Sequence, residues 1–247
     1  MTDNPFAPPE AVVQDPIAPT GSIDVGRCFS EGWARTWAHF PLWLGVMLVW
    51  FVAVIGSVIT CVGILLLLPI LYWGWIRFTL NMHDGEPKMD DLWEGFQRYG
   101  AVLGAMIVLY LIMTLLGIPG QIVQFIGQAS ESIELILVGM VVNLLWMAFV
   151  SLRLYLAPML VVDQGMEPVE AVKRSWDLTR GNQLSLILLM LLAVVIITVG
   201  VLLLVIGVFP AMMLTTMMWI SAYRQLVGAP LARTADERLA AEWGEPA

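Results

Sequence analysis

The sequence predicts an all-α polytopic membrane protein: six transmembrane helices forming three parallel repeats, each a cytoplasmic interfacial helix plus a transmembrane hairpin. Three observations carry this expectation. Hydrophobic residues make up 59% of the 247 and charged residues only 13%, against roughly 45–50% and about 25% in soluble domains. Mean hydropathy is +0.82. Residues 40–76, 99–130, 135–152 and 181–223 contain no Asp, Glu, Lys, Arg or His. The basic residues, finally, fall only in alternate connections. So few charges cannot cover so much apolar surface, which excludes a single soluble domain. Collagen-like, disulfide-rich and wholly disordered classes are excluded by the Gly, Cys and polar content.

Residues 1–23 read as a disordered cytoplasmic leader, extended by Pro5, Pro8, Pro9, Pro16 and Pro19, without the pattern of a secretory signal peptide. The membrane domain is expected over 24–227, with repeats at about 24–80, 89–162 and 168–227. A helix crosses a hydrocarbon core of about 30 Å in roughly 20 residues. The first and last charge-free stretches are therefore long enough for two helices each. The expected spans are 40–57, 61–80, 100–118, 134–162, 183–204 and 207–226. Gly56 with Ser57, and Gly200 with Gly207, mark the tight turns, and 119–133 reads as an outer apolar loop. Continuous apolar runs exclude a barrel, whose strands alternate. Residues 228–247 form a cytoplasmic tail in which Leu231, Leu239 and Trp243 suggest a short amphipathic helix.

Under this topology all twelve Lys and Arg lie on one side, which by the positive-inside rule makes both termini cytoplasmic. The net charge of -8 is no obstacle, because that rule counts basic residues rather than net charge. The two cysteines, Cys28 and Cys61, fall on opposite sides of the bilayer, cannot pair within the chain, and read as ordinary thiols.

The repeat rests on segments ahead of spans one, three and five. Val25, Phe29, Trp33 and Trp37, then Leu92, Phe96 and Tyr99, then Val169, Val172 and Trp176 recur at helical spacing. Each set reads as an amphipathic helix at the interface, with Trp33, Trp37, Phe96 and Trp176 as anchors. The linkers Asp84-Gly-Glu-Pro87 and Asp163-Gln-Gly-Met-Glu-Pro168 share one order: a turn glycine, then a proline suited to a first helical turn. Arg77, Arg153 and Arg224 close the even spans alike. The stretch Ala171-Val-Lys-Arg-Ser-Trp-Asp-Leu-Thr-Arg-Gly181, with Arg153 and Val161-Val-Asp163 before it, resembles the six-span membrane domain fused to some glycerophosphodiester phosphodiesterases. It also resembles stand-alone bacterial relatives of unknown function. The likeness covers roughly 24–227 on short motifs. It implies a bacterial inner-membrane helical domain concerned with lipids, and no hydrolytic residues carry over.

Intramembrane catalysis needs a nucleophile with a base, or paired carboxylates, at bilayer depth. No acid lies inside a span, Glu134 standing at the outer end of the fourth, and His39 and His83 sit at span ends. No zincin, P-loop or nucleophile-elbow motif occurs, so no catalytic, metal or cofactor residue is assigned. His83, Asp84, Glu86, Asp90, Asp91 and Glu94 read either as a cation cluster or as a solvated loop. Arg153 has two readings: its side chain snorkels to the interface, or it meets an anionic headgroup or substrate. Arg153, Arg77 and Arg224 are thus the candidate lipid or anion contacts, and Asn143 the candidate intramembrane polar contact. Pro69, Pro158 and Pro210 are packing kinks or, alternatively, breaks of the kind found at transporter sites. Gly100-x-x-x-Gly104 is a candidate helix-packing motif.

The sequence reading is a non-catalytic bacterial inner-membrane protein that organises or binds lipids or membrane partners. Its partners would be the bilayer, anionic phospholipid, a membrane protein or a second copy. The alternatives are a small permease or lipid transporter with a path near Arg153, and an intramembrane enzyme. Nucleic acid is excluded by the absence of a basic stripe.

Overall fold

The computed structural model describes residues 21–59, 63, 66–84, 87–130, 132–203 and 207–228. The leader through residue 20, Cys61, Glu86, Glu131 and the tail from 229 lie outside these residues. Among the described residues there are nine α-helices and one 3₁₀ turn, and no strand. Four helical segments are long and apolar enough to cross a membrane: Val25–Ile59, Tyr99–Ala129, Ile133–Gln164 and Gln183–Leu202.

Helix α1 (Val25–Ile59) starts at a side-chain cap, since Arg27 N–H donates to Asp24 Oδ1 at 3.1 Å. It then runs 35 residues without a break, through Pro41. The expected interfacial helix and first span are therefore one element, because nothing between residues 33 and 40 can form a turn. Gly56 and Ser57 lie inside it rather than at a turn. Helix α2 (Leu68–Asp84) follows, then the 3₁₀ turn Met89–Trp93 and a single helical turn, α3 (Glu94–Gln97).

Helix α4 (Tyr99–Ala129) continues through Pro119, so most of the stretch expected as an outer loop is helical. In apolar surroundings no water is at hand to satisfy backbone groups, which favours prolonging the helix. Helix α5 (Ile133–Leu154) leads through Tyr155, itself near helical geometry, into α6 (Leu156–Gln164). The interruption falls where Pro158 has no N–H to offer the carbonyl of Leu154. Gly165, at φ 66°, ends α6 in the left-handed conformation and donates its N–H to Val161 O. Pro168 then opens α7 (Pro168–Thr179). Helices α8 (Gln183–Leu202) and α9 (Val208–Val227) form the last hairpin. They approach closely at Gly200, where a Cβ would lie 2.7 Å from Ala211 Cβ.

Two of the helices outside the apolar four, α2 and α9, form the centre. Helix α2 packs against α1, α4, α6 and α9, and most of its residues from Ile70 to His83 are buried. Helix α9 is buried almost throughout from Leu214 to Leu226. The long apolar helices stand around this pair and expose Leu, Val and Ile along their outer faces. Such a surface suits lipid and would be unstable in water.

The first half of α1 shows how the sides are chosen. Phe29, Trp33 and Trp37 form an outward ladder with successive centroids 6.2 and 5.6 Å apart, and all three are exposed. The opposite stripe, Cys28, Gly32 and Thr36, is buried against α9. A Cβ on Gly32 would already lie 3.0 Å from Met218 Cγ. Gly100 and Gly104 have nothing within 4 Å of a built Cβ, so that motif is not a packing seam. The α4–α5 contact instead uses Gly120, Gly127 and Gly139.

Gly74 on α2 is the tightest approach, since a Cβ there would come within 2.1 Å of Leu92 O. Gly74→Ala is expected to cost about 1–3 kcal/mol through overpacking and to lower the thermal midpoint in detergent. Gly104→Ala, in open space, should leave that midpoint unchanged or raise it.

Candidate functional site

The polar side chains converge at one end of the helices, where α1 begins and α2, α6 and α9 finish. Arg224, near the end of α9, is 1% exposed. Its Nε and Nη2 donate to the two carboxylate oxygens of Asp84 at 3.1 and 2.6 Å. Its Nη1 and Nη2 donate to the Asp163 oxygens at 2.6 and 3.2 Å. Tyr223 OH adds a bond to Asp163 Oδ2 at 2.7 Å. One guanidinium thus fastens the ends of α2 and α6 to α9 in the planar, bidentate geometry that arginine favours.

A second layer binds α1. Ser221 Oγ donates to Glu31 Oε2 at 2.6 Å, and Glu31 pairs with Arg27 at 2.7 Å and Arg35 at 3.6 Å. Arg35 Nη1 lies 2.8 Å from His83 Nε2. The other ring nitrogen, Nδ1, faces Asp84 Oδ1 at 3.3 Å. Asp24 N–H donates to Gln225 Oε1, and Ile23 N–H to Asn182 Oδ1. Three arginines (27, 35 and 224) thereby face three carboxylates (31, 84 and 163), and the cluster neutralises itself.

Burial pushes the Glu31 carboxyl up, but His83, Ser221 and Arg27 outweigh it and hold it well below the ordinary carboxylate range. Asp84 is likewise held low, burial being more than offset by His83 and Arg224. Burial pushes the Cys28 thiol up to about 11, which leaves it protonated and unreactive near neutral pH.

The other two arginines have different surroundings. Arg77 Nε reaches Glu94 Oε2 at 3.0 Å. The anions at Arg77 and Arg224 are thus protein carboxylates, and Arg224 keeps no face toward a lipid. Arg153 is 7% exposed, and no carboxylate among the described residues pairs with it. Its guanidinium sits over the rings of Phe149 and Trp176, 5.5 and 5.0 Å from their centroids. Nη1 donates to Trp176 O at 3.3 Å and, weakly, to Thr179 Oγ1 at 3.5 Å. Nε is buried and has no partner. Beside it lies a cleft of about 50 Å³ between α5 and the start of α8, lined by Phe149, Leu152, Arg153, Thr179, Gln183 and Ile187 among others.

Asn143 on α5 donates to Gln124 Oε1 on α4, within a wide groove also lined by Gln121 and Gln128. The anchors Trp33, Trp37, Phe96 and Trp176 are all exposed. The expected acidic cluster is dispersed: His83 and Asp84 join the Arg224 network, Glu94 pairs with Arg77, and Asp91 accepts from Lys88 N–H. Among the described residues no three His, Cys, Asp or Glu are placed to hold a metal. Sequence reasoning passed over Glu31, Asp163, Ser221, Tyr223, Asn182 and Gln225. The one available signal was the shared acid of the two Asp-Gly-Glu-Pro linkers, whose members both meet Arg224.

Fold and site together define an all-helical protein whose outer helices suit a membrane and whose charges are gathered at one end. The chain belongs to the family described as Domain of unknown function (DUF7847), whose model matches residues 37–233. No curated protein and no solved structure matches it.

Removing one member of a buried charge pair leaves the other uncompensated, at a cost of about 3–5 kcal/mol. Arg224→Ala should therefore show a large fall in thermal midpoint, and Arg224→Lys, which keeps the charge but loses the fork, an intermediate one. The depressed Glu31 and Asp84 carboxyls also set a pH dependence. Their contribution is fully present above the ordinary carboxylate range and is lost as pH falls through and below it. Unfolding scans from pH 7 to pH 3 should show stability falling below about pH 4, with a shallower fall in Glu31→Gln.

Proposed function

We propose that the protein is a non-catalytic inner-membrane protein with six spans, both termini cytoplasmic, that organises lipids or membrane partners around a closed ring of three like-facing repeats. Helices α1, α2, α4, α5, α8 and α9 supply the spans. At 17 residues α2 is just long enough to cross. The even spans support the repeat, because each arginine-bearing end contacts an amphipathic segment. Arg77 reaches Glu94 in α3, and Arg153 accepts a 2.6 Å bond from Ser175 of α7 at its carbonyl. In the third unit the partner is α1, through Ser221–Glu31 and Gln225–Asp24, so the last repeat closes on the first.

The observation that carries the functional reading is the self-neutralisation of the buried charges. Among the described residues the buried side chains of His83, Asp163 and Arg224 are occupied in joining helices, and Arg153 is the buried charged side chain that is not paired with a carboxylate. A permease needs polar groups free to meet cargo along a path. The Arg153 cleft and the Gln124–Asn143 groove share no lining residue. The resemblance to membrane domains linked to lipid-cleaving enzymes points the same way.

Native mass spectrometry of the full chain released from lipid nanodiscs tests the reading. Retained phospholipid, or a second polypeptide including another copy, is the expected result. A bare monomer at the lowest activation energy overturns it.

A further inference from the structure

Arg153 differs from its two counterparts in lacking an acid among the described residues, and its surroundings are those of a binding site rather than of a snorkelling side chain. Snorkelling carries a guanidinium out to water, whereas this one is nine-tenths buried and its Nε finds no acceptor. The two rings fix the plane of the fork. The cleft also receives the first turn of α8, whose residue Asn182 provides no side-chain cap. Asn182 spends its amide on Ile23 N–H, Gly21 O and Leu178 O instead. Orphan N–H groups at a helix start favour an anion.

We propose that this cleft binds a phosphate oxyanion, supplied in the membrane by the headgroup of an anionic phospholipid. A space of about 50 Å³ admits a small oxyanion and leaves the rest of the lipid outside. The lining has the two-sided character of a lipid: Phe149 and Ile187 are exposed apolar side chains, the exposed Gln183 is polar, and the buried Thr179 adds a hydroxyl beneath them. Lys173, Arg174 and Arg180 are exposed on and just after α7 and favour a net negative headgroup over one that brings its own ammonium. The proposal deepens the lipid-organising reading and rests on it for the source of the phosphate.

The test compares the full chain, Arg153→Met and Ile187→Trp in nanodiscs of mixed phosphatidylglycerol and phosphatidylcholine, with retained lipid read by native mass spectrometry. Ile187 is exposed, so its variant blocks the cleft without disturbing the support of Arg153. The wild type should retain phosphatidylglycerol preferentially, and both variants should lose that preference by about tenfold or more, the worth of one charged hydrogen bond. A second arm titrates inorganic phosphate into phosphatidylcholine-only discs. A thermal shift in the wild type alone, without phosphatidylglycerol preference, supports the site with free phosphate as its ligand. Equal lipid retention in all three proteins with no phosphate response overturns the site and leaves the lipid-organising reading standing. Absence of all retained lipid and partner overturns that reading, and the phosphate arm still decides the site.

Discussion

The guanidinium of Arg224, held by Asp84 and Asp163, is the constraint on which the arrangement of helices depends. The two acids lie 140 and 61 residues before it, so a single side chain joins three distant stretches of the chain. Ion pairs of this kind add little net stability, because desolvation offsets most of the attraction. What they contribute is specificity. Apolar helices in lipid have no hydrophobic drive to prefer one partner or one rotation over another. A buried cation that must meet two carboxylates admits few arrangements, and Glu31 with Ser221 extends the same restriction to α1.

That restriction also accounts for the division between inner and outer helices. The elements carrying the charged network, α2 and α9, also carry Thr79, Thr215, Ser221 and Gln225. Ser221 and Gln225 find partners in Glu31, Asp24 and Cys28, while Thr79 and Thr215 donate back to carbonyls of their own helices. The long apolar helices keep Thr36 on α1 and Arg153 on α5 turned inward and present largely apolar faces outward. Where backbones must approach, as at Gly32, Gly74 and Gly120, small residues remove the obstacle. Gly74 lets the carbonyl of Leu92 sit against α2, which seats the Met89–Trp93 turn on that helix.

Composition and charge-free runs made the helical class legible. The stretches expected at 134–162, 183–204 and 207–226 fall on Ile133–Gln164, Gln183–Leu202 and Val208–Val227, whereas 61–80 is displaced to Leu68–Asp84 and 100–118 is prolonged to Ala129. The first expected span merged with its preceding segment because the sequence pattern reports apolar faces, not turns that fail to form. Residues 119–133 misled for a related reason: proline and glycine signal a loop in water, and α4 instead continues through Pro119. The α1 stripe was recognised, but its orientation could not be. In a soluble protein the greasy face turns inward; here Trp33 and Trp37 face out, and Cys28 and Gly32 pack. The pairing of Arg224 with Asp84 and Asp163 left only a trace, in the acid shared by two linkers, because ion-pair partners so far apart have no periodicity.

Arg153 and Arg224 both lie near the C-terminal ends of their helices, α5 and α9, and show two solutions to one problem. At Arg224 the counter-charge comes from the chain, so the contact persists in any solvent that preserves the fold. At Arg153 the chain supplies two aromatic faces and a carbonyl, and stops short of a full charge. Cation–π contacts and a single carbonyl recover only part of the hydration a guanidinium loses. On the phosphate-site proposal the remainder comes from an oxyanion in the adjoining cleft, which would tie the stability of the α5–α7–α8 junction to that ligand, while the Arg224 junction is balanced within the chain.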